Sequence, residues 1–134
     1  MPLLRIEHYL VLSDDIDRTR DFYRDVLGLR EGFRPELGFP GYWLYAGDVP
    51  CIHIAEWQSY AVWTKEVGIP ISARAASTGA LDHIAFNASG FDEVRARLVR
   101  HGLEVSENLL DEIGLRQLFI HDPNGVPIEL NFRS

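Results

Sequence analysis

Apolar and polar positions along this chain follow the same order twice. Glu7-His8-Tyr9-Leu10-Val11-Leu12 has a partner 75 positions later in Asp82-His83-Ile84-Ala85-Phe86-Asn87. Each reads as a strand, a run of apolar and β-favouring residues closed by polar turn residues. Behind the first, Ile16, Thr19, Tyr23, Val26 and Leu27 recur at helical spacing; behind the second, Phe91, Val94 and Leu98 do the same. Ser13 or Asp14 is expected to cap the first helix, and Ser89 with Asp92 three residues on has the form of a capping box. Leu27-Gly28-Leu29 and His101-Gly102-Leu103 are matching helix stops, because glycine takes the left-handed conformation that ends a helix.

The remainder of each repeat alternates in the two-residue rhythm of strands. Gly41–Ala46 and Cys51–Ala55 flank a turn at Gly47-Asp48, and Leu115–His121 and Val126–Phe132 flank Asp122-Pro123-Asn124-Gly125. Proline and Asn-Gly within four residues form a strong hairpin signal. Val49-Pro50 and Val126-Pro127 align after these turns, and further strands are expected near 30–34 and 103–108. A βαβββ unit of about 55 residues buries too little surface to stand alone. The pattern therefore predicts an α+β fold of two tandem βαβββ modules, packed as one continuous curved mixed sheet with helices outside and a cleft inside. Module 1 spans about 1–57, the connection 58–79 and module 2 about 80–134, within a single domain 1–134. The connection holds Trp63, Pro70 and the small-residue run Ser72 to Gly79, and the pattern leaves its conformation open.

Alternation decides which side chains face the cleft. Tyr9, Val11, Ile52, Ile54, Ile84, Phe86, Leu118, Ile120, Ile128 and Leu130 form the helix-facing set. His8, His53, His83, Gln117, Phe119, His121, Glu129 and Asn131 are thereby turned inward. His8 to His53 is 45 positions and His83 to Glu129 is 46, so the duplication carries His8 onto His83 and His53 onto Glu129. A lone strand histidine is more often packed or hydrogen-bonded than a ligand. A glutamate within Val-Pro-Ile-Glu-Leu is harder to excuse, since burying an unpaired carboxylate is costly. Two histidines and a carboxylate form the facial set that holds Fe(II), and Zn(II), Ni(II), Co(II) or Mn(II) accept the same donors. His8, His83 and Glu129 are the candidate ligands of one divalent metal ion. His53 is the candidate acid/base residue, with a ligand or cleft-lining role left open. Trp43 and Phe119 are candidate apolar walls, Gln117 and Asn131 hydrogen-bonding residues, and His121 a candidate substrate contact at the mouth. His101 lies at a helix end, and Arg116 faces away from the cleft by alternation.

Composition narrows the classes. Against 13 Lys and Arg stand 20 Asp and Glu, a net charge of −7, which argues against a nucleic-acid partner. No run approaches the ~20 apolar residues of a membrane span. MPLLRIEHYL lacks the marks of a secretory signal, and the lone Cys51 excludes an internal disulfide, so a cytoplasmic location is expected.

The chain resembles the vicinal oxygen chelate superfamily, the glyoxalase, bleomycin-resistance and extradiol-dioxygenase group. His8 in IEHYLVL, Phe22-Tyr23 with Leu27-Gly28-Leu29, His83 in LDHIAF, and Asp122-Pro123-Asn124-Gly125 followed by Glu129 carry the resemblance. It implies paired βαβββ modules, a homodimer, and a divalent metal on His8, His83 and Glu129 that chelates vicinal oxygens of a small substrate. The fourth ligand slot of glyoxalase members falls on His53, while extradiol dioxygenases place an acid/base histidine near this position. The resemblance thus implies an Fe(II)-dependent ring-cleaving dioxygenase first, and a glyoxalase- or epimerase-type lyase or isomerase as the alternative. Phe119 departs from the dioxygenase pattern, which has tyrosine there. A metal-free antibiotic-binding protein is the third reading, although such members lack the ligands retained here. A fosfomycin-type transferase would need a Lys/Arg cluster that is not visible.

Overall fold

The computed structural model describes residues 2–134. The chain divides into two compact units, Met1–Ala73 and Arg74–Ser134. In unit 1, strand β1 (Tyr9–Ser13) leads into helix α1 (Ile16–Asp21), whose last turn widens into a π-helical turn at Phe22–Val26. Strands β2 (Arg30–Gly32), β3 (Gly41–Ala46) and β4 (Val49–Glu56) follow, and helix α2 (Trp57–Val67) closes the unit. In unit 2, β5 (Ile84–Ala88) and α3 (Phe91–Arg100) precede β6 (Ser106–Leu110), a single 3-10 turn (Asp111–Ile113), β7 (Leu115–His121) and β8 (Pro127–Arg133). Among the described residues no helix is long and apolar enough to cross a membrane.

The two βαβββ modules and the α+β class are as expected from the pattern. Hydrogen bonding organises the strands as two four-stranded mixed sheets, ordered β1-β4-β3-β2 and β5-β8-β7-β6, in place of one continuous ladder. In each, the first strand runs parallel to the last and the other pairs are antiparallel. The registers also correspond: Leu10 stands beside His53, and Ala85 beside Glu129, each two residues beyond the histidine that begins its repeat. The duplication inferred from spacing is therefore present in the pairing itself.

Local chemistry explains the element ends. Gly28 and Gly102 lie at φ 78 and 76, and beyond them Leu29 and Leu103 N–H groups return to the Tyr23 and Leu98 carbonyls at 2.9 and 3.2 Å. The first helix is capped by Asp15, whose carboxylate accepts from Arg18 N at 3.1 Å, and not by Ser13 or Asp14. Ser13 Oγ is instead buried, 2.9 Å from Thr19 Oγ1, and also accepts from Asp15 N. No capping box forms at Ser89 and Asp92. Gly90 in the left-handed conformation starts α3, leaving Asp92 and Glu93 to favour the positive helix end by charge. In the turn between β7 and β8, buried Asp122 accepts from Asn124 N and Val126 N at 2.7 and 2.9 Å.

Two stretches are weakly marked in the pattern. The connection, whose conformation the pattern leaves open, begins with the eleven residues of α2, and the strand expected near 103–108 lies at Ser106–Leu110. Of α2 only Thr64 is fully buried, with Val62 and Val67 exposed, so no clean apolar stripe marks it. Every residue of β6 is exposed, so its alternation carries no inward-facing signal.

The cores follow the alternation. Leu44, Ile52 and Ile54 of unit 1 are buried together with Thr19, Tyr23 and Val26 of its helical segment, while Ile84, Leu118, Ile120, Ile128, Leu130 and Phe132 are buried in unit 2 with Leu98. Phe91 meets Phe132 edge to face at 5.3 Å, and Arg116 lies over the Phe91 ring at 4.6 Å, on the helix side as expected. At Gly41 the pairing of β3 with β4 leaves no room for a side chain. A Cβ there would lie 2.1 Å from the Ile54 carbonyl oxygen. Gly41→Ala is expected to lower unfolding stability by about 1–3 kcal/mol through overpacking. Denaturant melts read this directly, and an unchanged midpoint would contradict the tight pairing.

Candidate functional site

Unit 2 brings together His83 and Glu129. His83 immediately precedes β5, and Glu129 lies in β8 opposite Ala85, on the face turned away from Ile128 and Leu130. His83 Nε2 is 3.5 Å from Glu129 Oε1, and His83 Nδ1 is 2.8 Å from Asp82 Oδ2. The Asp82 carboxylate can only accept, so the Nδ1 position carries the proton and Nε2 faces Glu129. Asp82 first, and then Glu129, raise the His83 pKa above its ordinary value. The other Glu129 oxygen accepts from Asn131 Nδ2 at 2.8 Å. Asn131 Oδ1 in turn accepts from Gln117 Nε2 at 2.9 Å, and Gln117 Oε1 from Asn108 Nδ2 at 2.8 Å. Three amides in register across β6, β7 and β8 thus form a relay that ends on the carboxylate.

The Glu129 side chain is only 15% exposed, and among the described residues no Lys or Arg lies within 4.0 Å of it. A carboxylate oxygen and an imidazole lone pair repel one another unless a positive charge lies between them. A proton on His83 meets that need, and so does a divalent cation. The donor chemistry, the separation and the flanking hydrogen bonds all fit a metal, since ligating histidines characteristically hold a carboxylate on their other nitrogen.

Unit 1 repeats part of this arrangement with different chemistry. His8 Nδ1 lies 3.1 Å from Glu7 Oε1, as His83 does from Asp82, so both repeats hold an acid–histidine pair. At the position equivalent to Glu129 stands His53, 7% exposed and held by three rings. Phe39 stacks on it at 5.8 Å, Trp43 meets it edge-on at 5.4 Å, and His8 is 6.0 Å away. Arg34 Nε donates to His53 Nε2 at 3.4 Å, which places the neutral proton on Nδ1. Burial, then the charge of Arg34 and then His8 lower the His53 pKa from 6.5 to about 4. The Trp43 indole Nε1 is buried with no hydrogen-bond partner. Tyr60 and Trp63 of α2 pack on Phe39 at 5.1 and 4.9 Å.

The expected residues therefore separate into two sets. His83, Glu129, Asn131 and Gln117 meet in unit 2; His8, His53 and Trp43 meet in unit 1. Among the described residues, no group of three or more His, Cys, Asp or Glu side chains is placed to hold a metal ion. Phe119 is half-buried opposite Glu129 on β7, and His121 is exposed at the end of that strand. Sequence reasoning missed Asp82 and Glu7 as partners of the histidines, Asn108 at the end of the amide relay, and Arg34 with Phe39. The two acids were legible as a repeated acid–His pair. Arg34 lies between β2 and β3, where no periodicity assigns a direction.

Comparison with known proteins agrees with this architecture. Residues 5–130 match the family profile described as the Glyoxalase/Bleomycin resistance protein/Dioxygenase superfamily. Glyoxylase I 4 of Arabidopsis thaliana is 30% identical over 131 residues, covering 96% of this chain and 70% of the plant protein. Among solved structures, a glyoxalase/dioxygenase from Nostoc punctiforme superposes with a TM-score of 0.72 at 16% identity, covering 97% of this chain and 91% of that one. Lactoylglutathione lyase from Agrobacterium tumefaciens does so with 0.65 at 22% identity, covering 98% and 95%. At those identities the two structures speak to the fold alone.

His53 gives the site a measurable pH signature. Its folded pKa of about 4 lies below the unfolded value of 6.5, so between them the unfolded chain binds more protons. The stability this group contributes is complete above pH 6.5 and is lost as pH falls towards 4, by on the order of 3 kcal/mol. Nitrogen NMR of the imidazole is expected to show the neutral form at pH 6. An ordinary titration near 6.5 would overturn the assignment.

Proposed function

The chain belongs to the Glyoxalase/Bleomycin resistance protein/Dioxygenase superfamily, and from that premise we propose that it is a metal-dependent enzyme of the glyoxalase lyase or isomerase kind. Its substrate is a small molecule with two neighbouring oxygens. The observation that carries this reading is the Glu129 carboxylate beside His83 Nε2, braced by Asn131 and, among the described residues, with no Arg or Lys in ion-pair contact to neutralise it. His83 and Glu129 are the imidazole and carboxylate ligands, and His8 is the third ligand that the family pattern assigns. When bound, a divalent cation supplies Lewis acidity that stabilises negative charge on substrate oxygens.

The chain's own residues do the remaining work. Asp82 and Glu7 fix the ring orientation of the two histidines. The amide relay from Asn108 through Gln117 and Asn131 holds Glu129 in one rotamer. His53, held neutral with its Nε2 accepting from Arg34, offers the substrate its Nδ1–H as a hydrogen-bond donor. Trp43 and Phe119 present apolar walls, and His121 stands at the rim.

Two things favour lyase or isomerase chemistry over ring cleavage. The 30% identical plant relative bears a glyoxalase name, and Phe119 lacks the hydroxyl that ring-cleaving members carry at this position. Ring cleavage with Fe(II) is the second reading, favoured by an imidazole at His53.

Protein purified without an affinity tag is expected to take up one equivalent of Zn(II), Ni(II), Co(II), Mn(II) or Fe(II) per chain, read by elemental analysis and calorimetry. Glu129→Gln should weaken that affinity by more than the ~10–100-fold that loss of a supporting residue costs, and Asn131→Leu by roughly 10–100-fold. No uptake of any of these metals, or affinity surviving in Glu129→Gln, sinks the proposal. Loaded protein is then assayed against 2-oxoaldehyde–thiol adducts, and in parallel with catechols at an oxygen electrode. Oxygen uptake with Fe(II) on a catechol would transfer the assignment to ring cleavage.

A further inference from the structure

We propose that Arg34, His53 and Trp43 of unit 1 form a niche for a carboxylate, so that this unit binds a small molecule carrying an acidic group. The niche goes beyond the functional reading above and stands on unit 1 alone.

Arg34 follows β2 by two residues and is drawn inward by two protein contacts. Its Nε donates to His53 Nε2 at 3.4 Å and its Nη2 to the Phe39 carbonyl at 2.7 Å. The guanidinium also lies over the Phe39 ring, 5.1 Å from its centroid. The missing side chain at Gly41 leaves it room, since a Cβ there would lie 3.1 Å from Nη2. A guanidinium has five N–H donors, and these contacts engage two of them. Among the described residues no Asp or Glu oxygen lies within ion-pair distance, and Glu36 acts on it only through space. Burial pushes the Arg34 pKa below its ordinary value, as expected of a half-buried cation without a counter-ion.

The second observation is independent. Trp43 stands directly opposite His53 in the β3–β4 register, so their side chains share one face. Its indole N–H is buried and unpaired, an arrangement that costs free energy in an otherwise satisfied structure. The uncompensated cation and the indole that carries the orphan N–H donor both border the ring of one neutral imidazole, His53. Every unspent group is a donor or a positive charge, so the complementary ligand is an anion that accepts hydrogen bonds. One guanidinium without any lysine suits a singly charged planar carboxylate better than a phosphate dianion.

Benzoate and acetate are the probes, with benzamide and acetamide as uncharged counterparts. They are titrated into the full chain while the Trp43 indole N–H resonance, assigned with Trp43→Phe, is followed by NMR. Benzoate is expected to shift that resonance saturably and benzamide to leave it in place. Arg34→Gln should weaken benzoate binding at least about tenfold, the loss of one charge-assisted contact, with Arg34→Lys recovering part of it. Trp43→Phe, read by calorimetry, should weaken it severalfold while keeping the apolar wall. Glu129→Gln should leave benzoate binding unchanged, which separates this niche from a carboxylate captured by a metal. Absence of a saturable shift, equal binding of benzamide, or undiminished binding in both Arg34→Gln and Trp43→Phe overturns the proposal. Loss of benzoate binding in Glu129→Gln overturns it too. Should Arg34→Gln fail to fold by circular dichroism, Arg34→Lys and Trp43→Phe decide the outcome.

Discussion

Everything in either unit depends on the parallel pairing of its first strand with its last. That pairing requires a crossover, which α1 and α3 supply, and the helix then covers one face of the sheet. With one face committed to the core, register is no longer free. A slip of one residue would turn Ile128 and Leu130 outward and press Glu129 and Asn131 into the apolar layer. The cost of burying that carboxylate holds the strand where it is, and so holds Glu129 beside His83. The same pairing in unit 1 sets Leu10 against His53 and keeps Ile52 and Ile54 in the core.

One register position, filled differently, produces two electrostatic environments. In unit 2 it holds Glu129, beside His83 with its Asp82 partner and, among the described residues, with no arginine or lysine in ion-pair contact, and the surroundings favour a cation. In unit 1 it holds His53, kept neutral by burial and by Arg34, beside an unpaired indole N–H, and the surroundings call for an anion. A repeat that preserved its backbone pairing has thus separated its chemistry. Both repeats retain the acid next to the leading histidine, because that pair serves ring orientation in either setting.

The pairs of strands, the two glycine stops and the Asp122 hairpin were readable because each is a local property: alternation, a left-handed turn, or a side chain capping its own loop. The candidate ligands were readable for a related reason, since alternation turns His53 and Glu129 away from the helix without any long-range information. Other features resisted. In α2 Tyr60 and Trp63 pack on Phe39 but Val62 and Val67 are exposed, which blurs its helical stripe, and β6 exposes all its residues, so its alternation carries no signal. Asp15 took the cap from Ser13 because Ser13 was committed to Thr19, a choice made six residues away.

By itself, then, the amino-acid order determined the duplicated module, the direction of the core strand side chains and the identity of the candidate imidazoles and carboxylate. These follow from period-two and helical spacing, which act within a few residues. Only tertiary structure decided that Asn108, Gln117 and Asn131 align into a relay on Glu129, that Arg34 reaches His53, and that the Trp43 N–H is left unpaired. Those outcomes depend on which strands become neighbours and on where a loop without periodicity returns, and contacts between residues distant in the chain set both.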